Sequence, residues 1–273
     1  PNVTVEYSMV EHADLNTKLI TSLAAKSAPT IMGIYGPWMA DLVKNEWLDE
    51  APDYVVEDIE SNTFDFAGDS AKYGDKYFGY IQHIGIATPV INTDLYKKYN
   101  AEIPTTYEQL LKVNKEKLDI YDDNNQLIQA GSAFPSSRNG SWNVITWSSI
   151  LQSYGGTIIN DDNTAAAFNT PEGIEATDVY ASLTHPKFVN DSFSLGKSAM
   201  EYVGPFKRSF YEENCPDINY KALPPLEGPA GAVATLYVWF WSVAADAEKV
   251  QKDAAWKLLN FISNDENYLD MAN

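Results

Sequence analysis

Residues 84–118 read IGIATPVINTDLYKKYNAEIPTTYEQLLKVNKEKL. The stretch from Ile84 to Ile91 has the apolar run of a strand. Pro104-Thr-Thr-Tyr107 then opens a helix: Thr105 or Thr106 is its N-cap, and Glu108 or Gln109 its capping-box partner. Tyr107, Leu111 and Leu118 continue the apolar face of that helix. A strand followed by a capped helix sets the pattern for the rest of the chain.

Upstream, Val3, Val5 and Tyr7 alternate with Thr4, Glu6 and Ser8, the period of a half-buried strand. Leu15, Leu19 and Leu23 then recur at helical spacing until Pro29. Thr30 to Ile34 reads as a short buried strand, Gly36-Pro37 as a break, and Trp38 to Lys44 as another helix. Downstream, Val144, Trp147, Leu151 and Tyr154 mark a helix face closed by Gly155-Gly156. Asn169-Thr-Pro-Glu-Gly173 restarts a helix with Pro171 in its first turn. Tyr220 to Leu223 and Val233 to Ala244 read as strands. Val250, Ala254, Leu258 and Phe261 form the face of a last helix. Alternation of this kind predicts α/β architecture with mainly parallel sheets.

The 273 residues are 45% hydrophobic and 13% aromatic, enough for a packed core in one large domain or two modest ones. No apolar run reaches the length of a membrane-spanning helix; Val233 to Ala245 carries Thr235 and Ser242 and is too short. With 38 acidic against 19 basic residues the net charge is −19, which argues against nucleic acid and anionic membrane surfaces as partners. The only cysteine is Cys215, so no intrachain disulfide forms and no cysteine pair holds zinc. It reads as a half-buried thiol beside Pro216. His12, His83 and His185 lie far apart, and none forms a helical metal-binding pair.

Sequence motifs for chemistry are sparse. Gly33-x-x-Gly36 is followed by Pro37 and lacks the Lys-Ser/Thr of a phosphate loop; Gly85 is isolated. Asp122-Asp-Asn-Asn125 lacks the glycine and closing glutamate of a calcium loop and reads as a solvated turn, as does Asp161-Asp-Asn163. Glycoside hydrolysis needs two carboxylates facing each other roughly 5–9.5 Å apart. Adjacent acids such as Asp49-Glu50 and Glu212-Glu213 diverge on a regular element. No catalytic residue, metal ligand or cofactor site is expected.

The aromatic residues are more informative. Tyr35 and Trp38 flank Gly36-Pro37, Trp142 follows Asn139-Gly140, Phe206 follows Gly204-Pro205, and Tyr237 and Trp239 lie in the late strand. These are strand ends and breaks, where α/β folds bind ligands. Aromatic faces stack on the C–H faces of sugars, while amides and carboxylates bond the hydroxyls. Trp147 and Trp256, on apolar helical stripes, read as core.

In order along the chain stand Pro1-Asn-Val-Thr-Val-Glu-Tyr7, Lys18 to Pro29, Ile31 to Trp38, Tyr73-Gly-Asp-Lys-Tyr-Phe-Gly79, Asn92 to Lys98, Ile103 to Leu110, Trp147 to Gly156, Phe168 to Gly173, Gly196-Lys-Ser-Ala-Met200, Gly204-Pro-Phe206, Leu223-Pro-Pro225 and Ala254 to Phe261. Together they resemble the extracellular solute-binding proteins of ABC importers, in the sugar and oligosaccharide family that includes maltose-binding proteins. Family members are longer: they begin with one more strand and continue past the last helix here, so those segments are expected to be missing.

The resemblance implies a two-lobed periplasmic-binding-protein-like α/β fold, with mixed sheets flanked by helices and a ligand cleft between lobes. It implies lobe one over 1–87 and 224–273 and lobe two over 88–223. The site positions that transfer are Tyr35, Trp38, Gln82, His83, Trp142 and Phe206, with Tyr237 and Trp239. The implied partners are a small carbohydrate and an ABC permease, and the implied state is a monomer. The place is extracellular, periplasmic or lipid-anchored on the outer face of the membrane. A neutral ligand is expected, because Arg138, Lys207 and Arg208 are the only cations near the site. Two other readings share the composition: an acidic glycoside hydrolase, and a carbohydrate-binding surface protein without a transporter.

Overall fold

The computed structural model describes residues 3–136, 141–162, 164–185, 187–188, 192–264 and 267, without the side chains of 13 and 141. Two compact units divide it. One combines residues 1–84 and 238–273; the other is the continuous stretch 85–237.

In the first unit the chain runs through α1 (His12–Ala24), β1 (Ile31–Tyr35), a 3-10 turn (Gly36–Trp38), α2 (Met39–Lys44), α3 (Asp53–Asn62), α4 (Asp65–Ser70) and the hairpin of β2 (Lys72–Tyr73) and β3 (Lys76–Tyr77). The expected strand over residues 3–8 is not formed. Val3, Val5 and Tyr7 are more than half exposed, and the polar residues between them are exposed as well. Alternation makes a strand only where a ladder partner takes up the backbone donors and acceptors, and this segment belongs to no sheet. In α1 the leucine spacing works as read: Leu19 and Leu23 are buried.

β4 (Tyr80–Ile86) leads into the second unit. There β5 (Thr88–Asn92) is followed by α5 (Thr93–Lys98), α6 (Tyr107–Val113), the hairpin of β6 (Ile120–Tyr121) and β7 (Leu127–Gln129), α7 (Ser141–Ser153) and α8 (Pro171–Ser182). The remainder comprises β8 (Met200–Val203), α9 (Lys207–Asn214), β9 (Tyr220–Ala222) and a small hairpin of β10 (Glu227–Gly228) and β11 (Gly231–Ala232). β5 is the middle strand between β8 and β9, antiparallel to both. Thr106 caps α6 by accepting from the Gln109 amide, while the Gln109 side chain accepts from the Thr105 amide at 2.8 Å. Gly155, at φ +88°, ends α7 in the left-handed conformation that a glycine takes without a Cβ penalty. Asp122 turns the β6–β7 hairpin by accepting from the amides of Asn124 and Gln126. The second polar turn includes Asn163, which lies outside the described residues.

β12 (Leu236–Val243) carries the chain back to the first unit, and α10 (Lys249–Ile262) follows. β12 is the middle strand between β1 and β4. Its register against β1 runs from Ile31 opposite Val243 to Tyr35 opposite Trp239. The core beneath this sheet includes Ile34, Val55, Ile59, Phe240 and Val243, all fully buried. The expected stripe on α10 is rotated. Val250 and Phe261 are exposed, and Ala255, Trp256 and Leu259 are buried, since Asp49 anchors this face by accepting from Trp256 Nε1 at 3.0 Å and Lys252 Nζ at 2.8 Å.

The expected predominance of parallel pairing is overturned. β1–β12, β2–β3, β5–β8, β5–β9, β6–β7 and β10–β11 are antiparallel, and parallel geometry occurs in isolated bridges such as Ala130 with Ser198 and Ala133 with Glu201. Helices between strands do not by themselves fix direction: β2–β3, β6–β7 and β10–β11 are local hairpins, and β1 and β5 pair with strands from remote parts of the chain. The residues from 228 to 235 pack within the second unit for a specific reason. The Ser149 hydroxyl accepts from the Thr235 amide at 2.9 Å, the hydroxyls of Ser148 and Thr235 are 2.8 Å apart, and the Ala230 amide donates to the Ser153 carbonyl.

Candidate ligand-binding aromatics

The sequence-derived aromatics form two groups, one in each unit. In the first unit Trp239 is the hub. β1 delivers Tyr35 opposite it in the ladder, and the 3-10 turn with Pro37 in its first positions delivers Trp38. Tyr35 lies 5.3 Å from Trp239 and Trp38 lies 5.7 Å from it, centroid to centroid; Tyr35 and Trp38 themselves meet edge-on at 5.6 Å. From β4, His83 stacks on Trp239 at 6.4 Å with 22° between planes. Desolvation lowers the His83 pKa below its ordinary value. Gln82, beside it on β4, is half-buried.

One member of this group was not among the sequence-derived site residues. His12, the first residue of α1, meets Trp239 edge-on at 5.6 Å. Sequence reasoning noted His12 only as remote from the other histidines. Its place at a helix start gave no signal, because the partner lies more than two hundred positions away.

In the second unit Trp142 is central. It stands in the first turn of α7 and lies 5.3 Å from Phe206 and 5.3 Å, edge-on, from Tyr237. Phe206 is 53% exposed at the head of α9, held there by the Gly204-Pro205 turn after β8. Tyr237, from β12, is buried. Asn139 and Gly140, the loop expected to precede Trp142, lie outside the described residues.

Trp147 is not a core residue as expected. Its ring is half-buried, its Nε1 donates to Thr177 at 3.0 Å, and Phe168 meets it edge-on. The buried face of α7 is instead serine-rich, with Ser148, Ser149 and Ser153 beside Ile145 and Leu151, so apolar spacing alone misplaces it.

Phe206 is open and Trp38, Trp142 and Trp239 are partly open, giving ring faces for C–H stacking, whereas Tyr35 and Tyr237 are buried behind them as supports. The cations nearest Phe206 in sequence are engaged locally. Lys207 lies 4.4 Å over the Phe210 ring, and Arg208 pairs with Glu212 at 2.8 Å. Arg138 lies outside the described residues. Among the described residues no cluster of three metal-ligating side chains occurs, and no helix is long and apolar enough to cross a membrane.

Among solved structures the fold is similar to an ABC transporter solute-binding protein of Thermotoga lettingae bound with α-D-tagatose. The TM-score is 0.78 at 19% identity, over 95% of this chain and 69% of that one. It is similar also to the GacH receptor of Streptomyces glaucescens, solved unliganded and with acarbose, with TM-score 0.78 and 20% identity over 97% and 69%. An ABC substrate-binding protein of Listeria monocytogenes in complex with cycloalternan gives 0.76 at 23% identity over 94% and 67%. No curated protein matches the chain. The α/β fold is thus that of solute-binding proteins. Since residues 1–268 match their family pattern as well, the chain belongs to the family of bacterial extracellular solute-binding proteins.

Proposed function

We propose that the protein captures a sugar, a neutral oligosaccharide, and delivers it to an ABC permease in the membrane without turning it over. The observation that carries this reading is the pair of aromatic groups, one in each compact unit. Tyr35, Trp38, His83 and Trp239 form one, with Gln82 next to His83 on β4, and Trp142, Phe206 and Tyr237 form the other. In two-lobed receptors a ligand held by both lobes favours a closed state through contacts the open state lacks. The chain crosses between the two compact units at 84/85 and 237/238, and the proposed lobe boundaries lie at 87/88 and 223/224.

Three supports point the same way. The family is one of solute receptors. The structural neighbours named above were solved with tagatose, acarbose and cycloalternan, all sugars or sugar mimics. Lys207 and Arg208 are spent on their own helix, which favours an uncharged ligand. The protein then works as a monomer outside the cell membrane, in the periplasm or lipid-anchored on the outer face.

Calorimetry with a panel of maltose, maltotriose, maltotetraose, tagatose, ribitol, amino acids and a dipeptide tests the ligand class. Saturable heat with an oligosaccharide and an unchanged sugar after long incubation are expected. Heat only with amino acids or peptides overturns the ligand, and steady release of shorter sugars overturns the purely binding role.

A further inference from the structure

Two glycines from different elements lie against one ring. A Cβ built on Gly85 would stand 1.9 Å from Tyr237 Cζ and 2.1 Å from its hydroxyl oxygen. A Cβ on Gly204 would stand 2.6 Å from the same hydroxyl and 2.9 Å from Phe206 Cε1. Neither glycine has a positive φ. The backbone conformation therefore does not call for glycine at either position; it is the space that does. Gly85 comes from β4 and Gly204 from the turn after β8, so two separate elements leave room at one place. The ring that fills it meets Trp142 edge-on at 5.3 Å, and Trp142 meets Phe206 at the same distance.

We propose that Gly85 and Gly204 are positioning residues for the ligand-binding aromatics of the second unit. The room they leave seats Tyr237, and the seated ring sets the orientation of Trp142 and Phe206. The ligand part rests on the function proposed above; the seat itself does not. An alanine at either position meets the far end of a side chain that can turn about two bonds. The variant therefore keeps its fold and displaces the ring. A displaced Tyr237 loses its edge contact with Trp142, and the face offered to a sugar is no longer preformed.

The test is a double-mutant cycle in the full chain, with Gly85→Ala and Gly204→Ala each made alone and with Tyr237→Ser. Two quantities are read: the near-ultraviolet circular dichroism of the unliganded protein, and affinity for the tightest binder among maltose, maltotriose and maltotetraose. Either alanine alone is expected to change the aromatic spectrum and weaken binding tenfold or more. With Tyr237→Ser in place, the same alanine should change affinity less than twofold and leave the spectrum unaltered. Equal effects in both backgrounds, or none in either, overturn the proposal. If the native protein binds none of the three sugars, that failure falls on the proposed function. The spectral cycle then decides the seat: an effect that vanishes with Tyr237→Ser upholds it, and one that persists overturns it. Should Gly85→Ala fail to fold, Gly204→Ala carries the same cycle, because its closest neighbours are side-chain ends.

Discussion

Tyr35 and Trp239 stand directly opposite each other in the antiparallel ladder of β1 and β12, with ring centroids 5.3 Å apart and planes tilted by 40°. Cross-strand aromatic pairs stabilise a sheet, and this one also carries Trp38, His83 and His12 around its indole. Trp239→Ala removes the common partner of the group. We expect sugar affinity to fall by about ten- to a hundredfold, the loss of roughly 1.5–3 kcal/mol of ring contact and burial. Trp38→Ala should cost less affinity, because Tyr35 and Trp239 remain paired. Calorimetric titration of both variants checks the order; equal losses would count against Trp239 as the hub.

In the second unit Phe206→Ala and Trp142→Ala are expected to weaken the same sugar by about 1.5–3 kcal/mol each. Their thermal behaviour should separate. Phe206 is 53% exposed, so its loss should leave the melting temperature within a few degrees. Trp142 is half-buried between Phe206 and Tyr237, so melting should fall further. Normal binding combined with early melting in both variants would make the two rings structural.

Trp256 and Trp147 give a contrast in stability. Trp256 is 2% exposed and its indole donates to Asp49. Trp256→Ala should cost about 3–5 kcal/mol as a core deletion. Trp147 keeps one side in solvent, and Trp147→Phe removes chiefly its bond to Thr177, worth about 0.5–1.5 kcal/mol. Urea unfolding of the two variants measures both, and a Trp147→Phe loss as large as that of Trp256→Ala would be the wrong outcome.

His83, exposed on one side, should make stability depend weakly on pH. Desolvation holds its folded-state pKa below the usual value near 6.5. As pH falls through about 6.5 the unfolded chain takes up a proton that the folded chain resists, so stability declines from there downward. Melting temperatures of the native protein and His83→Gln between pH 7.5 and 5 should diverge, with the native protein the steeper. Parallel curves would show that the ring is not desolvated against Trp239.

Where a signal is local, the sequence carried it. The capping pair of Thr106 and Gln109, the Pro171 helix start and the Gly155 stop follow from neighbours within a few positions. What depends on remote partners was hidden. The alternation of Val3, Val5 and Tyr7 is a strand pattern, yet pairing is a property of two segments, and these residues stay exposed. The α10 stripe turned because Asp49 fixes Trp256 and Lys252 from two hundred positions away. Tyr35 and Trp38 could be picked out at the Gly36-Pro37 break and Trp239 in the late strand, and the three come together with His83, which only the family resemblance supplied. His12 could not be found, and Gly85 looked like an ordinary lone glycine, since only the folded chain brings Tyr237 against it.

Because β12 is the middle strand of the first unit's sheet, the order of synthesis separates the two units in time. The stretch 85–237 is unbroken, and all of it has been made before residue 243 leaves the ribosome. β1, by contrast, waits some two hundred residues for the strand it pairs with. Loop closure over that span comes late and slowly. The half of the molecule that begins the chain is thus the half that finishes folding, and until then Ile34 and Met32 have no sheet to cover them. Slow steps in refolding should therefore map to the first unit, with the second already in place.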